Sequence, residues 1–497
     1  MHDGWLADQV RCLTSRVDAG TTAARKRAVG RCVALVAALL ALLIAPSAAS
    51  AAVTTETQRV GPVQVGGYEV KQSVLPAPHV PVDGFVTNME VDVVDANGTP
   101  VPIQRLMLHH IVFANLNRQD ATCDSIVGFD ERPNSLYSSE RFYAAGEERA
   151  KMALPPGYGY KLKASDTWGL LYMFMNHQPT TDNAFIQYKY RVVTGADADG
   201  MHRVDPYWYD VENCRADPIY NVPGTKKKGS TDTESTDFVM PRAGYIVGGA
   251  GHVHGGAREL TLTEPDCTGN RQIGESLPTW GNPDHPFYNV RPVLHEPGPV
   301  AMSGFQSQAG IPVAAGERIR LNALYDNSLP HTRVMGILVA YVDHDNDVTQ
   351  PCGPLPDDTQ TLLAPGSVEG RTGGPIPYKI PLTGLDEDGN AETIKKPPGK
   401  TKRLKSGKTI AVDDRFFSRP NVRVKRGATL NWQFQGDELH NVTLANGPIG
   451  FGSPNLDGDR TFSQRFTRNG TYRMFCALHP VQMSERVVVR GKRKRAR

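Results

Sequence analysis

Tyr472-Arg-Met-Phe-Cys476-Ala-Leu-His479-Pro-Val-Gln-Met483 places a thiol, an imidazole and a thioether within one short loop. A second imidazole stands upstream at His440, in Glu438-Leu-His440-Asn-Val-Thr. Two His, one Cys and a weak axial Met make up the ligand set of a blue-copper electron-transfer site. Soft sulfur holds Cu(I), imidazole suits both oxidation states, and a crowded loop limits rearrangement between them. The flanking pattern is that of strands. Val422 and Val424 alternate with Arg423 and Lys425, and Leu430, Trp432 and Phe434 alternate with polar residues. Asn469-Gly470 is a hairpin-turn signal just before the Cys-bearing strand.

On these residues, the segment from about Lys408 to Arg490 resembles a cupredoxin of the plastocyanin and pseudoazurin kind. The resemblance implies a Greek-key β-sandwich with one type 1 copper on His440, Cys476, His479 and Met483.

The rest of the chain is long enough for further domains. Its 497 residues allow about three at ~150 residues each. A hydrophobic fraction of 39% suits a globular protein, and 48 Gly with 37 Pro favour many turns and so β architecture. A net charge of +3 singles out no partner, and the basic runs near Lys395–Lys405 and at the C-terminus read as solvated faces with no nucleic-acid role.

Near the start, Arg25, Lys26, Arg27 and Arg31 precede an apolar run from Val33 to Ala45, and Ala49-Ser50-Ala51 offers a cleavage site. This is the order of a secretory signal peptide, and the run is short of the ~20 residues of a membrane span. The expectation is a leader over 1–52 and an extracytoplasmic protein, at the cell surface, periplasmic or secreted, without stable membrane insertion; the alternative is that the apolar run is retained as a membrane anchor. Of seven cysteines, Cys12 and Cys32 fall in the leader and Cys476 is a metal-ligand candidate. Cys123, Cys214, Cys267 and Cys352 remain, an even number in an oxidising compartment. They allow three pairings, of which Cys123–Cys214 with Cys267–Cys352 keeps each bridge to about one half of the body.

The body reads as antiparallel strands. Ile186, Tyr188, Tyr190 and Val192 alternate with Gln187, Lys189 and Arg191; Ile319, Leu321 and Ala323 alternate with Arg318, Arg320 and Asn322; Gly336 to Val342 is a run suited to a strand buried on both faces. Ser138 to Lys151 is the best helix candidate. The expected division is 53–205 and 206–352 for two β-sandwiches meeting near Thr194–Asp205, a solvated linker over 353–407, the copper domain over 408–490 and a basic tail over 491–497.

The body's histidines are grouped. Leu106-Met-Leu-His109-His110-Ile-Val-Phe puts two adjacent His in an apolar strand, Met173-Phe-Met-Asn-His177-Gln ends another, and Gly249-Ala-Gly-His252-Val-His254-Gly-Gly spaces two at i, i+2, on one strand face. Met335 enters the buried run that follows His331. His109 and His110, as strand neighbours, share a metal only where the strand is distorted or where they use different ring nitrogens.

The order His-His, His, His-x-His, Met resembles that of the copper type II, ascorbate-dependent monooxygenases, the family of peptidylglycine α-hydroxylating monooxygenase and dopamine β-monooxygenase, over roughly residues 75 to 352. The resemblance implies two jelly-roll-like antiparallel β-sandwiches, with an electron-transfer copper on His109, His110 and His177 and an oxygen-activating copper on His252, His254 and Met335. The peptide-hydroxylating members carry an Arg shortly before the His-x-His pair to hold a substrate carboxylate; here Gly248, Gly249, Ala250 and Gly251 stand there, so no peptidyl-glycine substrate is assigned. The expected function is O₂-dependent hydroxylation of an organic C–H bond, with electrons from the tethered blue-copper domain or from another redox protein or small reductant. The alternative is an extracytoplasmic copper-binding electron carrier without monooxygenase activity.

Overall fold

A computed structural model describes residues 52–123, 138–344, 347–362, 370–371 and 374–491. The leader with its cleavage site, Cys12 and Cys32, and the basic tail after Gly491 lie outside the described residues. The protein is all-β, as its alternating sequence predicts, built from antiparallel sheets with two short 3-10 turns, Gly195–Ala198 and Pro286–Asn289.

The largest sheet has ten strands and runs through both halves of the body. From one edge it follows Ala52–Val65, Asp182–Thr194, Gly84–Val94, Tyr158–Leu162, His202–Asp210, Gly336–Asp343, Gly244–Val253, Gly304–Val313 and Gln360–Leu362, and the tenth strand, Met152–Ala153, pairs with Gly84–Val94 off this path. The junction expected near Thr194–Asp205 is therefore no open boundary. His202–Asp210 pairs in parallel with Tyr158–Leu162 of the first half and antiparallel with Gly336–Asp343 of the second. Its pairing residues Val204, Tyr207, Trp208 and Tyr209 are buried, so the strand is fixed by core packing on both sides.

Each half adds a second sheet. In the first half its order is Val70–Ala77, Trp168–Asn176, Leu106–Gln119, Ser139–Gly146; in the second it is Thr231–Val239, Arg318–Asp326, Ala257–Glu264, Arg271–Ser276. The helix expected over Ser138–Lys151 is instead the edge strand Ser139–Gly146, paired with Leu106–Gln119. Seven of its eight residues are buried, so it has no solvated stripe of the kind an amphipathic helix needs. Both expected disulfides form, Cys123–Cys214 and Cys267–Cys352. No described helix is long and apolar enough to cross a membrane.

The C-terminal unit is a sandwich of a five-stranded and a four-stranded sheet. One holds Lys402–Arg403, Asn421–Lys425, Ser484–Arg490, Gly470–Phe475 and Thr443–Asn446; the other holds Phe416–Phe417, Lys408–Asp413, Thr429–Phe434 and Thr461–Arg465. Trp432, Phe434 and Leu430 fill the space between them, each worth about 1.5–3 kcal/mol when fully buried.

The segment read as a solvated tether is partly built into the structure. Leu382–Leu385 and Ala391–Ile394 form a hairpin, Ile380 and Leu382 are buried, and the Asn446 side-chain amide donates to Ile380 O at 2.6 Å. The C-terminal unit is also bonded to the body directly. Thr332 Oγ1 donates to Leu444 O, Gly450 N–H to Pro223 O and Arg468 to Gly224 O. Apolar residues hidden from charge-rich sequence context explain the difference: Tyr68, Val70, Met107, Met173, Met175 and Leu294 of the body pack into the same core as the copper unit.

Candidate metal centres

In the C-terminal unit the strand Gly470–Phe475 delivers Cys476 at its end, and the chain then turns back on itself. Cys476 N–H donates to Met483 O at 3.1 Å and Met483 N–H to His479 O at 2.9 Å, closing the ligand loop. Cys476 Sγ lies 3.9 Å from His440 Nδ1 and 3.8 Å from His479 Nδ1, and the two Nδ1 atoms are 3.1 Å apart. Met483 is fully buried in the same core.

The outer nitrogens of both rings face carboxylates, His440 Nε2 toward Asp414 at 3.4 Å and His479 Nε2 toward Glu438 at 3.2 Å. Carboxylates behind the rings fix which nitrogen points inward. Burial, with the neighbouring His440, pushes His479 down to about 4, and burial lowers His440 as well, so both rings are neutral, the form that binds metal. Burial raises the Cys476 thiol, while the Asn441 N–H at 3.4 Å from Sγ favours the thiolate. The four residues thus meet the demands of a type 1 copper.

In the body the strand Leu106–Gln119 slips register at His109, between Leu108 and His110. This bulge is the distortion that adjacent histidines require to share a site. Their ring centroids are 4.0 Å apart. Gly146 lies opposite His110, and a Cβ there would come within 2.4 Å of the His252 ring. The missing side chain is what admits His252 beside His110.

The two expected ligand groups consequently come together. His110 Nε2 is 2.9 Å from His254 Nε2, and His109 and His252 have rings within 5.2 Å of those two. Met335, on a buried strand entry, borders the same cavity of about 60 Å³ as His109, His110 and His254. His295 lines this cavity as well, whereas His177 does not.

The rings share one arrangement. Nδ1 of His252 faces Glu148 at 3.1 Å, Nδ1 of His254 faces Arg333 O at 2.7 Å, and Nδ1 of His177 faces Pro292 O at 2.9 Å. The Nε2 atoms of His252 and His177 are buried without a hydrogen-bond partner. Buried ring nitrogens are seldom left bare, and an anchored Nδ1 with a bare inward Nε2 is how histidines stand around a metal. Burial pushes His109 and His177 to about 4 and drives His110 and His254 well below the usual imidazole range, aided by their neighbours; for His252 burial opposes and Glu148 outweighs it, raising the value. The donor set fits copper.

Sequence reading missed Glu147, Glu148, His295 and Arg333. The two glutamates lie in the segment read as a helix, where paired acids look like a solvated face. His295 stands alone in a loop, with no spacing signal. Arg333 is a non-glycine residue at φ 54°, a strained backbone that sequence does not reveal and that marks functional positions often enough to be followed up. It joins the two centres. Its carbonyl receives His254 Nδ1, its guanidinium donates to Ser453 O at 3.2 Å and to Asp217, and Ser453 Oγ accepts from Val442 N–H, next to the Asn441 that donates to Cys476 Sγ. Ala477 and Leu478, just past Cys476, line the cavity that His110 and His254 line from the other side.

Residues 196–345 match the family model described as SURNod19, Stress up-regulated Nod 19, a stretch holding His252, His254, Arg333 and Met335. Among solved structures, the chain is similar to a purple cupredoxin from Nitrosopumilus maritimus (25% identity over 16% of this chain and 97% of that one, TM-score 0.15). It is also similar to amicyanin variants, one in the reduced state (30% identity over 16% and 79%, TM-score 0.15) and one in the Cu(I) form at pH 4 (29% over 17% and 85%, TM-score 0.16). No curated protein matches the chain.

Proposed function

We propose that this protein is an extracytoplasmic copper oxidoreductase in which a type 1 centre at Cys476 serves a histidine-held copper centre in the body. The observation that carries the reading is the bonded route from Cys476 Sγ through Asn441, Val442, Ser453 and Arg333 to His254. Bound copper supplies one-electron redox chemistry at both ends of this route. The remaining work belongs to the chain. Arg333 ties the two units at the point where electrons would cross and holds the His254 ring by its Nδ1. Glu148 holds His252 with Nε2 inward. Met335 offers a soft donor beside the imidazoles, which favours Cu(I).

The finer reading is O₂-dependent C–H hydroxylation, which consumes one O₂, two electrons and two protons per C–OH and water formed. Room for an organic substrate supports it. A cavity of about 460 Å³ opens where Gly249, Ala250 and Gly304 carry little side chain, with Arg149, Lys151, Lys189 and Arg191 at its rim. Through Lys151, Met152, Ala250 and Tyr341 it adjoins the space beside His252. Glu90 also lines this cavity and pairs with Lys151, which leaves an excess of positive charge that suits an acidic substrate. The two-unit geometry equally supports a plain electron carrier.

Copper counting with electron paramagnetic resonance on the mature protein tests the reading. A blue signal together with an imidazole-rich type 2 signal is expected, with O₂ uptake on reduction. One blue copper alone would leave the carrier and remove the body centre.

A further inference from the structure

Glu147 follows the strand Ser139–Gly146 and points one carboxylate oxygen at two rings. Its Oε1 lies 2.5 Å from His109 Nδ1 and in tight contact with His295 Nε2. The donor atoms of these three residues lie within 4.8 Å of one another. The His109 and His295 ring centroids are 4.6 Å apart. We infer that His109, Glu147 and His295 form a separate metal site of mixed imidazole and carboxylate donors, taking a divalent first-row cation, beside the imidazole and thioether group proposed for copper. The inference rests on the reading of the body as a metal centre and adds its second occupant.

Three observations oppose a plain buried hydrogen bond. Two ring nitrogens converge on the same oxygen, while Oε2 receives only the Gly298 N–H at 3.3 Å. His295 Nδ1 is buried and bare, and His177 Nε2 is bare too. Among the described residues no lysine or arginine is ion-paired with Glu147, although its side chain is only 4% exposed. The neighbouring Arg149 donates to the carbonyls of Leu108 and Gly146. A carboxylate so deeply buried without a cation costs several kcal/mol in general, and a bound divalent ion offsets this.

The chemistry of the donors separates the two sites. Two imidazoles with one carboxylate and open positions suit Fe(II) or Zn(II), whereas imidazoles with a thioether suit copper. His109 lies within reach of both groups, so the ions would be neighbours.

The test uses the full chain with copper at the Cys476 centre, whose blue colour reports folding. Zn(II), Fe(II) under argon and Cu(II) are titrated separately, and bound metal per chain is counted. The wild type is expected to take one equivalent of Zn(II) or Fe(II). His295→Ala and Glu147→Gln should each weaken that binding by at least about tenfold, while body copper stays. His252→Ala should do the reverse. Should His295→Ala lose the blue band, Glu147→Gln decides, because it keeps the side-chain volume and an acceptor oxygen. Unchanged Zn(II) and Fe(II) binding in the variants, or none in the wild type, overturns this site. Zn(II) or Fe(II) bound without any body copper would instead overturn the proposed copper centre and leave this one standing.

Discussion

The two metal regions are built in opposite ways. Around Cys476 three of four candidate ligands lie within one eight-residue loop, closed by three backbone hydrogen bonds. In the body, His109 and His110 come from a bulged strand, His252 and His254 from the end of a second, Met335 from the entry to a third and His295 from a loop. A site made by one loop survives as long as that loop closes. A site made by several strands exists only when two sheets dock in register. The loop centre is therefore expected to tolerate changes within the body's sheets, and the body centre to be sensitive to distant packing.

The largest test of this contrast is Cys476→Ser. Thiolate-to-copper charge transfer gives a type 1 site its colour, so the visible band near ~600 nm should vanish outright, while the type 2 signal of the body remains. A protein that stays blue would break the assignment of the loop. Glu148→Ala strikes the other region. It frees His252 Nδ1, and loss of such an anchoring carboxylate commonly weakens metal binding by about 10–100-fold; equilibrium dialysis against copper should show this with the blue band intact.

Arg333→Ala joins the comparison, since this residue belongs to both regions. It removes the guanidinium's bonds to Ser453 and Asp217. Rapid-mixing reduction should show transfer between the centres slowed about tenfold, equivalent to ~1.4 kcal/mol, at unchanged copper content. An unchanged rate would mean that electrons cross elsewhere, through the residues lining the shared cavity.

Stability should depend on pH through His331, near the junction of the units. Burial lowers its pKa, but the carboxylates of Glu296 and Asp326 outweigh that and lift it from 6.5 to about 9. A value raised on folding stabilises the protein fully below pH 6.5, and this contribution fades as pH rises through about 9. Urea midpoints should fall across that window, and His331→Gln should flatten the fall. Met335→Leu is the smallest expected perturbation of folding, under ~1.5 kcal/mol as a near-isosteric swap. If its Cu(I) affinity also stays normal, Met335 is core packing and not a ligand.

The cupredoxin-like ligands were legible because their chemistry is local. Cys476, His479 and Met483 declare themselves by spacing alone, and His440 as the second imidazole upstream of them. The all-β class was legible from alternation at Ile186–Val192 and Ile319–Ala323, and the disulfides from an even count of cysteines once Cys476 is set aside. The body histidines could be picked out but not partitioned. The family resemblance implies a separation of His109, His110 and His177 from His252, His254 and Met335, whereas the structure brings His110 and His254 to 2.9 Å.

What the sequence alone determined, then, is which residue types carry the chemistry and the strand period that displays them. What only the tertiary structure decided is which of them meet. The bulge at His109, the space left by Gly146, the carboxylates of Glu147 and Glu148 at a strand end, and the docking of the copper unit through Arg333 each depend on contacts between residues far apart in the chain. Such contacts are set by sheet register and by the fit of buried surfaces, and neither leaves a local pattern in the sequence.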